Sequence, residues 1–428
     1  VSPLLHDHDF VKYAAARIIS VVGSGITYVA LPVLVYRMTG SPLLTGAVTA
    51  FEAAPYLLLG LLVGALADRW NRRAMMITAD LTSAVIIGSV PLAAAFGAVA
   101  SAHALVVAGA AASVFVFFDA ANFGAMPSLV ERDQIGRANS VVWTGQNLSD
   151  IIVPALTGVL LAVASPASLL TVDAVSFLLG ALLVSRIHRT LSVPREPGDA
   201  RSLRSEIGAG LRFLWQERTV RAVTVAGTVQ AFAGGAFVGQ IVVYADRTFD
   251  VQSGLRFGAL YGVWGIGSTV AAVAFGQLST RLSVFRLALT MLPVSAVLSL
   301  SVALAPTYGL AVVAIGLWGG VYMLIVMCAV THRQTVTPEP LLSRVSTTGR
   351  MLSWGVGSTG GAFVGGVLAS VFGVRTALVV AAGVLVLGSI VLWPARSLAV
   401  PTVAPDPTVA PDPTVAPDEP VPVTPDAA

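Results

Sequence analysis

Charge is what this sequence has least of. Of 428 residues, 11% are Asp, Glu, Lys or Arg, under half of the roughly 25% in an average soluble domain. With 56% hydrophobic residues and a mean hydropathy of +0.83, a water-soluble fold would lack polar surface. There is one cysteine, Cys328. No disulfide within the chain and no cysteine-based metal site follow from it; inside an apolar run it reads as a small packing residue. There is one lysine, Lys12, so no GxxxxGK[ST] phosphate-binding loop exists and a self-contained ATP-driven pump is excluded. HExxH, Cys–His clusters and GxSxG are also missing. No enzyme activity, metal or cofactor is expected. The opening VSPLLHDHDF has no basic segment or cleavage site, so no cleavable signal peptide is expected and the first apolar run serves for insertion. A net charge of +3 and a pI near 9.2 come from arginines between the apolar runs, which does not suit nucleic acid.

What the chain has instead is a series of windows of roughly 20 apolar residues, each long enough to cross about 30 Å of hydrocarbon as a helix. Open sheets would leave unpaired backbone groups in lipid. A barrel would alternate over about ten residues, which these runs do not. The fold class expected is all-α membrane, with twelve spans near 13–36, 43–67, 74–97, 102–126, 139–164, 166–186, 219–245, 255–280, 285–305, 307–330, 346–371 and 374–393. This gives an N-terminal six-helix bundle (1–186), a linker (187–218), a C-terminal six-helix bundle (219–393) and a tail (394–428). In the linker, Ile207, Leu211, Leu214 and Trp215 recur at helical spacing, which predicts an amphipathic helix on the membrane surface or in solvent. The tail repeats PTVAPD three times over 401–418; proline at that density prevents a helix and leaves the tail disordered.

Arginine sets the orientation. With the N-terminus inside, 21 of the 25 basic residues fall on inside segments and four, Arg37, Arg247, Arg256 and Arg375, fall outside. That bias places both ends in the cytoplasm of a cell-membrane protein. The halves also echo each other. GALADRWNRR (64–73) has a worn counterpart in GQLSTRLSVFR (276–286), and IGRANS (135–140) in LSRVST (342–347). Two related halves are a secondary-transporter architecture, with the substrate site between them.

These residues resemble the major facilitator superfamily over about 380 residues. Its loop pattern Gly-x-Leu-Ala-Asp-Arg-x-x-Arg-Arg is met by Gly64, Leu66, Ala67, Asp68, Arg69, Arg72 and Arg73. Three stretches, MPSLVERDQIGRANS, VDAVSFLLGALLV and EIGAGLRFLWQERTVRAV, are similar to the drug-exporter branch that includes macrolide-efflux and enterobactin-export proteins. Drug–proton antiporters of the superfamily often carry Gly-Pro-x-x-Gly-Gly in span five, where this chain reads VPALTG; Pro154 and Gly158 remain, and Val153 and Thr157 replace glycines. The resemblance implies a gate latch of Asp68, Arg72 and an acidic residue in span four, here Asp119. It also implies that spans two and eleven meet near that latch, where Gly60 and Gly64 face Gly361 and Gly365 as small-residue pairs.

Carboxylates inside the spans are Glu52, Asp80, Asp119, Asp150 and Asp173, all in the first half. A carboxylate there needs a partner, a proton or water, and is a functional candidate by default. By the resemblance, spans three and six are peripheral, so Asp80 and Asp173 are expected to be structural. Glu52 and Asp150 remain as proton-coupling residues, with Gln146 and Asn147 a turn before Asp150 to bond it. In the second half Phe232, Tyr261, Trp264, Trp318, Tyr322 and Trp354 are expected to wall a substrate cavity, since rings in mid-span suit an amphipathic ligand. The function expected is export of a lipophilic small molecule, an antibiotic, macrolide-like drug or siderophore, in exchange for protons, by a monomer in the lipid bilayer. The alternatives are an importer or uniporter on the same fold, or a membrane scaffold that moves nothing.

Overall fold

A computed structural model describes residues 7–67, 70–131, 134–191 and 203–398. Fourteen α-helices are described: α1 (His8–Thr39), α2 (Pro42–Ala67), α3 (Arg72–Ala95), α4 (Ser101–Ala125), α5 (Ile135–Leu160), α6 (Pro166–Ser185), α7 (Leu203–Gln216), α8 (Arg218–Phe249), α9 (Gly254–Arg281), α10 (Val284–Leu304), α11 (Tyr308–Val336), α12 (Glu339–Arg350), α13 (Thr359–Phe372) and α14 (Val374–Leu392). A π-helical segment, Met351–Ser358, joins α12 to α13, so the three pieces make one long rod. No strand occurs among the described residues.

The helix ends follow from local chemistry. The Asp7 carboxylate accepts from the backbone N–H groups of Asp9 and Phe10 at 3.0 and 3.3 Å, which are donors a helix start leaves free. At the far end Gly40 takes φ +60° and its N–H closes on the Tyr36 carbonyl, a left-handed cap that glycine adopts without strain. Asn71 caps α3, and Ser165 followed by Pro166 opens α6. Prolines 32, 55, 91, 154 and 293 sit inside helices, where helix–helix packing re-satisfies the freed backbone.

Eleven of the rods are long and apolar enough to cross a membrane, counting α12 to α13 as one. The twelfth long helix, α5, carries Gln146, Asn147, Ser149 and Asp150 within one turn and is wedged between α1 and α9. The result is an all-helical, multi-pass membrane protein. Large side chains such as Val85, Leu178, Val273 and Ile390 are exposed because lipid, not water, is their solvent.

Helices α1 to α6 pack among themselves, with α1 on α5 and α6, α3 on α4 and α6, and α2 on α4. Helices α8 to α14 form a second group, with α9 on α11, α10 on α11 and α14, and α8 on α13 and α14. Two seams join the groups: α5 against α9, and α2 against α13, the π segment and α8.

Three expectations change. Helix α8 runs past residue 245 to Phe249, so Asp246 lies on its last turn and the second half does bring a helical carboxylate. The pair Gly361 and Gly365 faces α8, not α2: a Cβ on Gly361 would stand 1.9 Å from the Phe232 carbonyl oxygen, and one on Gly365 3.1 Å from Ala236 Cα. The α2–α13 contact is made instead by Gly46 and Gly366, where a Gly46 Cβ would lie 2.6 Å from the Ala362 oxygen. A one-residue shift around a helix is 100°, so the spacing of glycines showed that a small face existed but not whom it met. Finally, α7 turns Leu214 into an apolar cluster with Val220, Val336 and Val345 while Leu211 and Trp215 stay exposed; part of its stripe is held by protein.

Candidate functional site

At the end of the bundle where α1 begins, a cavity of about 360 Å³ opens between the two groups of helices. Residues at helical spacing give each wall its face: Tyr13 and Arg17 of α1, Phe115, Asp119 and Asn122 of α4, Asn139, Val142 and Gln146 of α5. Tyr56 of α2 lies beside them, and the second group supplies Arg350 and Trp354. Both of the latter are exposed, so the cavity communicates with the outside at this end.

Its centre is a buried cation. Arg17 is 7% exposed, and its guanidinium lies over the rings of Phe115 and Phe118 at 5.6 and 5.3 Å. Nη2 stands 3.6 Å from Asp119 Oδ1, an ion pair beyond hydrogen-bond reach. With the Gln146 carboxamide oxygen turned toward it, Nε and Nη2 donate at 2.7 and 3.0 Å. Asp119 Oδ2 accepts from Tyr56 Oη at 3.4 Å and from Arg350 Nη1 at 3.5 Å. Tyr13 donates to Asn122 Oδ1 at 2.7 Å. Asp119 therefore joins a first-half arginine to a second-half one.

The other end is shut by contacts between the same two groups. Tyr36 donates to Asp246 Oδ2 at 2.6 Å, Arg247 to the Gly40 carbonyl at 3.0 Å, and Arg37 to the Gln252 carbonyl at 3.4 Å. Deeper in, Gln240 donates to the Pro42 carbonyl at 3.0 Å. Gly158 of α5 and Gly258 of α9 touch so closely that a Cβ on Gly158 would lie 2.4 Å from Gly258 Cα.

The residues singled out in the sequence are distributed unevenly. Asp68 and Arg69 lie outside the described residues, as do the side chains of Leu66 and Asp150, whose backbones belong to α2 and α5. Gly64 is in the last turn of α2. Arg72 opens α3, and Arg73 Nη2 donates to the Ser185 carbonyl. Glu52 of α2 has one carboxyl oxygen buried without a partner among the described residues, within electrostatic range of the Tyr261 hydroxyl on α9. Asp173 accepts from Thr27 and Ser176, tying α6 to α1. Asp80 does not match it: its Oδ2 is buried and unpartnered among the described residues.

The rings separate into core and cavity. Trp264 contacts Phe237, Trp318 and Tyr322 with centroids 5.1 to 5.4 Å apart. Trp318 is 1% exposed; its Nε1 donates to Ser295 Oγ, which donates to Gln230 Oε1, both at 2.9 Å. Phe232 lies against Gly360 and Gly361 of α13. Of the six rings named from the sequence, Trp354 alone is among the residues lining the cavity.

Sequence reasoning missed Arg17 and Arg350 as site residues because each was read as a topology signal. The clue was there for Arg17: a guanidinium four residues beyond Tyr13 in an otherwise apolar run needs a reason to be buried.

A bundle of two helical groups, sealed across one end and hollow with a charged core at the other, is a multi-pass transporter fold of the major facilitator type. The chain belongs to that superfamily's transmembrane secretion effector family, whose model matches residues 1–417. It is 27% identical over 384 residues to the multidrug efflux pump Tap of Mycolicibacterium fortuitum, covering 87% of this chain and 92% of that one. It is 28% identical over 385 residues to the enterobactin exporter EntS of Salmonella typhimurium, covering 88% and 90%. In fold it is similar to a bacterial homolog of the human lysosomal transporter Spinster in an inward-facing, unoccupied conformation. That match has a TM-score of 0.75 at 12% identity and covers 92% of this chain and 98% of the other. A mutant of the nucleoside transporter NupG matches with a TM-score of 0.77 at 11% identity, covering 91% and 100%.

Proposed function

We propose that this protein is a secondary active exporter that carries an amphipathic small molecule out of the cell in exchange for protons. The observation that carries the reading is the asymmetry between its ends: a charged cavity lies between the halves at one end, and direct cross-half contacts close the other. Two similar lobes pivoting about their seams open each end in turn, the alternating access of such folds. The arginine bias puts the cavity end in the cytoplasm, so the state described here faces inward. In this reading residues 1–186 and 219–393 move as the two lobes. Kinship with an efflux pump and a siderophore exporter supports the outward direction.

Glu52 and Asp150 are the proton carriers in this proposal. Glu52 is half-buried, with one buried oxygen that no described residue satisfies, and a carboxyl so placed is held by a proton in one state and by water or a partner in another. Asp68, Arg72 and Asp119 latch the cytoplasmic end when it closes; in the inward-facing state Asp119 is turned to Arg17 and Arg350 instead.

The test is accumulation of a panel of lipophilic antibiotics, and of enterobactin, in cells with and without the protein, repeated with a protonophore. Lower accumulation in expressing cells, abolished by the protonophore, is the expected result. Higher accumulation indicates import, and export that ignores the protonophore removes the proton exchange.

A further inference from the structure

We infer that the cavity takes its substrate by an anionic head group, a carboxylate, seated on Arg17 in competition with Asp119. The inference rests on the exporter reading and adds the charge of what is exported.

The geometry begins with unmet donors. A guanidinium presents five N–H groups in a rigid fork matched to a planar, two-oxygen acceptor. At Arg17 two nitrogens reach Gln146 and one of those also faces Asp119 at 3.6 Å. No acceptor among the described residues meets Nη1. Nη1 is not among the atoms buried without a partner; it opens onto the cavity, where water or a ligand accepts from it, and a charged acceptor makes the stronger bond. Here the unsaturated fork lines a cavity large enough for a small molecule.

Charge points the same way. The lining residues include two guanidiniums, Arg17 and Arg350, and one carboxylate, Asp119. Among the described lining residues the surplus is positive. Asp119 holds both arginines loosely, at 3.6 and 3.5 Å, short of the roughly 2.7–2.9 Å of a well-made charged pair. An incoming anion that makes a bidentate contact replaces a poor acceptor with a good one. Asn122, Asn139 and Tyr56 stand beside the arginines to take up further polar groups. Phe115, Val142, Met126 and Trp354 form the apolar remainder of the wall, which suits an aromatic or aliphatic body behind the head. Among the described lining residues a cationic drug would meet the reverse, two like charges against one carboxylate.

The full-length protein in lipid nanodiscs is titrated with radiolabelled 2-naphthoate, and with 2-naphthylmethanol and 2-naphthylmethylammonium as neutral and cationic counterparts. The expected result is at least about tenfold tighter binding of the naphthoate, roughly one charge-assisted contact. Arg17→Gln, checked for an unchanged melting profile, is expected to erase the preference, and Arg17→Lys to keep part of it. Asp119→Asn is expected to tighten naphthoate binding, because it removes the internal competitor. Equal or tighter binding of the neutral or cationic probe overturns the inference, as does an anion preference that survives Arg17→Gln, or no binding of any probe. Such a failure with antibiotic export intact leaves the exporter standing. Anion binding without net movement in cells leaves this site and removes the exporter.

Discussion

The Tyr36 hydroxyl donates to Asp246 Oδ2 at 2.6 Å, a bond that helps fasten the end of α1 to the end of α8. Gln252 donates to the other carboxylate oxygen at 2.6 Å, and the neighbouring Arg247 reaches the Gly40 carbonyl. A gate of this kind closes by polar contacts near the surface and opens when they are lost.

Tyr36→Phe is expected to shift the equilibrium toward the state open at that end. A hydrogen bond to a charged acceptor contributes about 1.5–3 kcal/mol, which is about a tenfold change in population or more. A cysteine at Thr45, a residue fully buried near that gate, reports it through its labelling rate with a membrane-impermeant maleimide. An unchanged rate would show that the bond does not hold the gate.

Gly158→Ala attacks the same seam from within the bilayer. The added carbon would stand 2.4 Å from Gly258 Cα and 2.5 Å from its nitrogen, and backbone cannot yield as a side chain can. The seam must splay, at a cost of about 1–3 kcal/mol for overpacking. Normal insertion with loss of transport and faster Thr45→Cys labelling is expected; wild-type transport would show that α5 and α9 need not touch.

Two tryptophans should behave oppositely. Trp318→Phe takes from buried Ser295 Oγ the donor it accepts from, while the Ser295–Gln230 bond remains, so a loss of about 1–3 kcal/mol in stability is expected with the ligand profile intact. Trp354→Ala removes an exposed cavity wall, so weaker binding of 2-naphthoate with little change in melting is expected. Melting curves paired with binding isotherms check both.

Glu52→Gln fixes a neutral side chain at the seam. Under the proton-exchange reading, export driven by a pH gradient stops while substrate binding persists and exchange without a gradient continues. Gradient-driven transport at the wild-type rate in proteoliposomes would remove Glu52 as a carrier.

Asp9 anchors the start of α1. Its carboxylate accepts from the backbone N–H groups of His188 and Arg189 at 3.1 and 3.0 Å and pairs with Lys12 at 3.2 Å. Asp9→Ala strands two backbone donors and is expected to lower stability by about 1–3 kcal/mol, measured by thermal unfolding in detergent. No change in melting would show that water replaces the bonds.

Composition and periodicity alone determined that this is an all-helical membrane chain, and roughly where its rods begin and end, because every backbone group in lipid must be satisfied within its own helix. The loop pattern carried the superfamily. Partnership was left to the tertiary structure. Gly361 and Gly365 were visibly a small-residue face, but only packing decided that they meet α8. Arg17 was visibly a cation in an apolar run, but only the convergence of α1, α4, α5 and α12 made it the centre of a cavity, with Asp119 and Arg350 more than a hundred residues away in sequence. Trp318 and Trp354 look alike in mid-span, and the fold buried one and exposed the other. A helix fixes which residues share a face through bonds of four-residue reach, whereas which faces meet depends on contacts between rods that no local pattern records.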